Sequence, residues 1–220
     1  MPVALVVENR FGVGQSVVQG FLNATNLMLP GTRATVVGCG PCGRGTAQTL
    51  RQLGALVTVV ERDPYRGLEA LMEGFPVADL AGALPDTRLL FLATGARGVL
   101  GPADVERLAD GVVVAGVSHH AWELDLALLG PVVAAAGYHR THRRADGRQA
   151  HVLAENRMIN LVAGLGNPIE AMDLGLTLQA RSLAAVAHGG LADGVQPVPD
   201  GIDRAVASSF PASRTNRSTA

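Results

Sequence analysis

The segment Gly38-Cys39-Gly40-Pro41-Cys42-Gly43 offers two chemistries at once. Gly38, Gly40 and Gly43 form the Gly-x-Gly-x-x-Gly pattern of a dinucleotide-binding loop. Cys39-Gly-Pro-Cys42 spells a thioredoxin-type dithiol, the second reading. Both belong between a strand and a helix, so the local context does not separate them. The wider context does. A dinucleotide loop needs an acid at the end of the next strand, about 20 residues on, to hold the ribose hydroxyls. Glu61 stands 18 residues after Gly43 and closes the apolar run Leu56 to Val60. The glycines then have separate tasks. Gly38 makes a tight turn, Gly40 lets the backbone approach a pyrophosphate, and Gly43 lets helix and strand pack. The phosphates would rest on the helix N-terminus, where unpaired N–H groups and the helix dipole favour anions. The same N-terminus would depress a thiol pKa, which keeps the redox reading alive. Arg44, in the first turn, either assists the phosphates or is merely solvated. An acid at position 61 favours NAD over NADP by repelling a 2′-phosphate, and the neighbouring Arg62 weakens that preference slightly.

Alternating elements must hold this loop. Gln15 to Asn26 has apolar residues at helical spacing. Ala34 to Val37 reads as a strand, Gly43 to Leu53 as a helix and Leu56 to Val60 as a second strand. Pro64 opens a helix to about Met72. Val77 to Leu80 is a weak third strand and Leu89 to Ala93 a fourth. Pro102 opens a helix to about Ala109, and Val112 to Val117 is a fifth strand. Short apolar strands alternating with helices predict an α/β fold. It is a Rossmann-type, doubly wound parallel sheet with helices on both faces. Beyond Trp122, Val132 to Ala136 and Gln149 to Leu153 flank the turn signal Ala145-Asp146-Gly147-Arg148, which predicts a C-terminal hairpin. Arg140, His142, Arg143 and Arg144 in its first arm read as a solvated edge or as an anion or partner site. Pro168 to about Ala187 is a long helix, and the polar tail 210–220 is expected to be disordered. The chain divides into a leading hinge-like segment and first helix (1–30), a dinucleotide-binding domain (31–190) and an extension (191–220).

Composition narrows the function classes. The chain has 220 residues, 48% of them apolar and 17% charged, which fits a globular protein. A net charge of -1 gives no electrostatic footprint for nucleic acid or an acidic membrane. All 18 basic residues are arginine, so a Schiff-base lysine and a P-loop are excluded. Two cysteines cannot build a disulfide scaffold. The first residues do not read as a signal peptide, and no apolar run approaches the ~18 residues of a membrane helix. The expected location is the cytoplasm.

With the loop and Glu61 in place, a family resemblance is visible. The chain resembles the NAD-binding domain of S-adenosyl-L-homocysteine hydrolase. Glu8-Asn9-Arg10-Phe11-Gly12-Val13-Gly14-Gln15-Ser16 is similar to the family's hinge motif. Cys42-Gly43-Arg44-Gly45, Glu61-Arg62-Asp63-Pro64, Ala93-Thr94-Gly95, His119 with Glu123-Leu124-Asp125, and Leu153 to Leu161 follow in order. The resemblance implies bound NAD, lined by Gly40, Pro41, Cys42, Glu61, Thr94, Gly95, Val117, Ser118 and Asn160. It places Glu8 where the family has a catalytic aspartate, Asn9 at its hinge asparagine and His119 at a histidine near the nicotinamide. Arg66 replaces a ribose-contacting asparagine, Asn167 replaces a histidine, and Ala4 falls where the family has a lysine. The family's substrate domain and its lysine-tyrosine tail have no counterpart in this sequence.

Three functions follow from these readings. The first is an NAD-dependent enzyme oxidising a secondary hydroxyl of a nucleoside or small polyol, with elimination or epimerisation to follow. Its base would come from Glu8, His119 or His120. The second is the cofactor subunit of a split hydrolase, with a separate polypeptide supplying the substrate domain. The third is a non-catalytic NAD-binding regulator or interaction protein. A homo-oligomer is expected by resemblance, and no metal site is expected.

Overall fold

The computed structural model describes residues 3–215. A π-helical stretch, Leu5–Gly12, runs directly into α1, Val13–Thr25. It carries Glu8 and Asn9, so the polar leading segment is helical. Asn26 ends α1 in the left-handed region (φ 51°), as a short polar side chain permits. The alternating part then follows: β1 (Arg33–Val37), α2 (Pro41–Gln52), β2 (Leu56–Val60), α3 (Pro64–Met72), β3 (Val77–Ala78), α4 (Leu80–Ala83), β4 (Leu89–Leu92), α5 (Pro102–Arg107) and β5 (Val112–Gly116). Prolines open α2, α3 and α5, where the missing N–H costs nothing. The third strand is shorter than expected. Asp79 caps a helical turn by accepting the Gly82 amide, which takes Leu80 out of the sheet.

The second half is β6 (Val132–Ala136), β7 (His139–Arg143), β8 (Gln149–Leu153), α6 (Ile159–Val162), α7 (Ile169–His188) and α8 (Asp200–Thr215). The expected two-armed hairpin is a three-stranded meander. Gly137 and Tyr138 turn β6 into β7, and the Asp146-Gly147 turn joins β7 to β8. His142 and Arg144 are buried, not solvated. Arg144 donates to the carbonyls of Val105 (2.5 Å) and Leu108 (2.9 Å), and so closes the C-terminus of α5. The tail also differs, since α8 carries residues 210–215 in a helix. Residues 216–220 lie outside the described residues.

All eight strands form one sheet in the order β3-β2-β1-β4-β5-β8-β7-β6. The first six in that order are parallel, and β7 and β6 continue antiparallel. Alternate residues feed two cores. Val36, Phe91 and Ala115 face α1 and α2, where Phe21 meets Phe91 at 5.4 Å between ring centres. Val37, Leu90, Leu92 and Val114 face Leu84, Val105 and Leu108 on the other side. The sheet is therefore covered on both faces, as a doubly wound fold requires. The order reverses direction at β1 and β4, and their C-terminal ends open a crevice there.

Candidate cofactor site

The glycine loop bridges β1 and α2 at that crevice. Gly38 has φ +94° and donates its amide to the Val60 carbonyl (2.8 Å), which turns the chain off the sheet. Gly43 allows the helix to sit on the loop. A Cβ there would lie 1.9 Å from the Gly38 carbonyl oxygen. Gly40 is different. Its backbone (φ -66°, ψ 179°) suits any residue, and an added Cβ would meet nothing nearer than Arg66 Nη1 at 3.9 Å. The fold does not require a glycine at 40, and the open space lies beside the first turn of α2. Pro41 begins that helix, and the amides of Cys42 and Gly43 have no helical carbonyl within reach.

Glu61 braces the loop. Its Oε2 accepts the Cys39 amide at 2.6 Å, and its Oε1 accepts the amides of Arg62 (2.8 Å) and Asp63 (2.9 Å). Arg44 does not join this group. It pairs with Glu69 (3.1 Å) and Glu73 (2.5 Å) on the far side, and its hydrogen bond holds the Glu73 carboxyl below the usual range. Arg10 also reaches Glu73 at the end of α3 and donates to Gln48 Oε1 on α2 (3.2 Å), which ties the π-helix to both helices.

A cavity of about 590 Å³ fills the crevice. Of the sequence-predicted residues, Gly38, Gly40, Pro41, Cys42, Glu61, Arg62 and Thr94 line it, together with Arg66 and Arg97. The others do not line it. Gly43 lies beneath the loop. Gly95 follows Thr94, its carbonyl accepting from the Trp122 indole at 3.1 Å. Val117 and Ser118 follow β5, with Val117 buried. His119 and His120 come next and are exposed, and the His120 ring stacks on Trp122 at 3.8 Å. Asn160 is buried in α6. Its amide nitrogen donates to Ser16 Oγ at 3.2 Å, while Oδ1 has no partner among the described residues. Glu8 turns toward α7, where its carboxylate would touch a Cβ added at Gly175. Asn9 sits half-buried in the π-helix.

Burial pushes the Cys39 thiol up from 9.0 to about 11 and the Cys42 thiol up as well, with Glu8 adding to the latter. A dithiol nucleophile needs the opposite shift and an exposed sulfur. Cys39 is buried, and Cys42 is half-buried and lines the cavity. Among the described residues no group of His, Cys, Asp and Glu is placed to hold a metal ion, and no helix is long and apolar enough to cross a membrane.

One organising residue was not legible as such. Glu123 is fully buried, and one of its oxygens accepts the Thr94 amide (2.7 Å), the Thr94 hydroxyl (2.6 Å) and the Gly95 amide (3.2 Å). The other accepts the Ser118 hydroxyl. This carboxylate joins the loops that leave β4 and β5, and so sets the far wall of the crevice. The signal available was an acid between Trp122 and Leu124, in an otherwise apolar stretch.

Comparison with known proteins decides the family. The NAD binding domain of S-adenosyl-L-homocysteine hydrolase matches residues 9–166. The chain belongs to that family. An S-inosyl-L-homocysteine hydrolase of Methanopyrus kandleri is 39% identical over 209 residues, which cover 92% of this chain and 49% of the relative. An adenosylhomocysteinase of Thermococcus kodakarensis is 39% identical over 206 residues, covering 91% and 49%. The chain thus spans about half the length of the curated relatives it matches. Among solved structures, the A chain of dipicolinate synthase from Bacillus subtilis matches 80% of this chain and 54% of its own, with a TM-score of 0.57 and 16% identity. That likeness shows the Rossmann fold alone. The family domain is an NAD-binding one, and NAD is the cofactor.

Proposed function

We propose that the chain is the cofactor-holding part of an NAD-dependent enzyme that acts on the ribose of a nucleoside thioether. The carrying observation is Gly40, a glycine the fold does not need, which lines a 590 Å³ cavity beside the first turn of α2. The amides of Cys42 and Gly43 would hold the pyrophosphate, and Glu61 has lone pairs left for the adenosine ribose. Thr94 and Gly95, fixed by Glu123, would border the middle of the dinucleotide. Val117, Ser118 and the unpartnered Oδ1 of Asn160 would face the nicotinamide end, where a carboxamide could satisfy that buried acceptor. NAD⁺ would supply a hydride acceptor for a secondary hydroxyl and later return the hydride.

The chain's own groups must then place the proton. His120 is committed to Trp122 by stacking and Glu8 packs toward Gly175, so His119 has the freest reach of the three candidate bases. The relatives' names differ in their purine, so the substrate is read only as a purine nucleoside carrying homocysteine. A homo-oligomer and a cytoplasmic location belong to the same proposal. Ile169, Leu176, Leu183 and Val186 on α7 are exposed and suit a subunit contact. A cofactor subunit completed by a separate substrate-domain protein is the second reading.

The test is incubation of the NAD⁺-loaded protein with adenosine, inosine and their homocysteine thioethers while reduced-nicotinamide absorbance is followed. Reduction by the protein alone supports an enzyme complete in itself. Reduction only after a substrate-domain protein is added supports the split form. NAD⁺ binding with no reduction in either case would leave a non-catalytic NAD-binding protein and refute the enzymatic reading.

A further inference from the structure

We infer that the same cavity also accepts a dinucleotide phosphorylated on the 2′-hydroxyl of its adenosine ribose. This rests on the reading of the cavity as the NAD site and extends it to a second ligand. Two features of the wall carry it.

The first is the state of Glu61. An acid at this position is the usual barrier to a 2′-phosphate. Here both its oxygens are drawn back onto backbone amides, those of Cys39, Arg62 and Asp63. Three N–H dipoles offset the charge that would face the phosphate, while unused lone pairs still suffice for a ribose hydroxyl.

The second is an excess of positive charge. Arg62, Arg66 and Arg97 line the cavity, and Glu61 is the one acid among its lining residues. Nearby acids are already engaged. Asp63 caps α3 by accepting the amides of Tyr65 and Arg66. Glu69 and Glu73 pair with Arg44 and Arg10. Among the described residues, Arg62 and Arg66 form no ion pair. Arg66 reaches over the loop, its Nη1 close to Gly40, one residue from the Cys39 amide that Glu61 holds. Arg62 is next to Glu61 in the chain. Both residues line the cavity, where an arginine fork can grip phosphate oxygens in pairs. Arg97 lies over the Trp122 ring at 3.9 Å and adds to the field across the mouth. A 2′-phosphate brings a charge of about -2 beyond that of the pyrophosphate, and three arginines set against one carboxylate give the wall a net positive charge to attract it.

The experiment is calorimetric titration of the full chain with NAD⁺ and NADP⁺, repeated on Arg62→Gln with Arg66→Gln together. Both side chains are exposed, and an unchanged melting temperature verifies that the double variant is folded. NADP⁺ should bind the unaltered protein within about tenfold of NAD⁺. The double variant should weaken NADP⁺ by about tenfold more than it weakens NAD⁺. NADP⁺ binding weaker than that limit, while NAD⁺ binds, overturns the inference and leaves the NAD site standing. Equal weakening of both ligands also overturns it, because the arginines would then serve the shared pyrophosphate. Binding of neither dinucleotide would remove the cofactor site itself and this inference with it.

Discussion

Replacing Gly40 by alanine separates what the loop does for the fold from what it does for a ligand. The backbone at Gly40 is extended, and an added methyl meets only the far tip of Arg66, at 3.9 Å. Alanine lowers the entropy of the unfolded chain but is a poorer helix cap than glycine. Stability should therefore stay within about 1 kcal/mol of the original. The ligand side is different. The methyl would occupy the approach of the pyrophosphate to the helix amides and push it back by about a methyl radius. Losing even two charge-assisted hydrogen bonds of about 1.5 kcal/mol each gives about 3 kcal/mol, a hundredfold or more in affinity. Gly43→Ala is the contrasting control. Its Cβ would fall 1.9 Å from the Gly38 carbonyl and 3.2 Å from Ala93 Cβ, so α2 must move off the sheet. That overpacking should cost about 3 kcal/mol of stability. Urea unfolding and NAD⁺ titration on both variants provide the assay. Gly40→Ala should fold normally and bind poorly, while Gly43→Ala should lose stability first. Undiminished NAD⁺ binding by Gly40→Ala would refute the reasoning.

Three further outcomes are expected. Glu61→Ala removes the brace on the Cys39 amide together with the proposed ribose acceptor, so NAD⁺ affinity should fall by about 2 kcal/mol or more, measurable by equilibrium dialysis. Glu123→Ala strands the Thr94 and Gly95 amides and should destabilise the chain by about 3 kcal/mol in urea, whereas Glu123→Gln keeps one accepting oxygen and should lose less. The raised Cys39 thiol stays protonated in the folded chain after the unfolded chain has ionised. Stability should therefore be full below pH 9.0 and decline as pH rises toward about 11, and Cys39→Ser should remove that part of the slope. Alkylation of Cys39 at neutral pH should be correspondingly slow, and rapid labelling there would restore the dithiol reading.

The parallel core was legible because its strands are continuous apolar runs bounded by Gly and Pro, a pattern set by burial on both faces. The loop was legible because glycine positions and an acid at a fixed interval leave few alternatives. Other parts depend on distant partners. The strand β7, His-Arg-Thr-His-Arg, reads as polar, yet His142 is buried and bonds the Gly130 carbonyl while Arg144 beyond it closes α5. The π-helical stretch carries a glycine and polar residues. Its place is set by the close crossing of Arg10 over Gly45, where a Cβ would lie 1.7 Å from the Arg10 carbonyl. Glu123 is an acid in an apolar segment, and only the three-dimensional meeting of the β4 and β5 loops gives it four donors. The thioredoxin-type spacing of Cys39 and Cys42 is legible but uninformative, since burial decides the chemistry of a thiol.

The central claim is that the crevice at the ends of β1, β2 and β4 holds NAD. Its most direct measurement is the nucleotide content of the purified, denatured protein, followed by titration of NAD⁺ into nucleotide-free chain. The account predicts released NAD, or saturable binding of one dinucleotide per chain that Gly40→Ala suppresses. No released nucleotide and no saturable binding by the folded chain would contradict it.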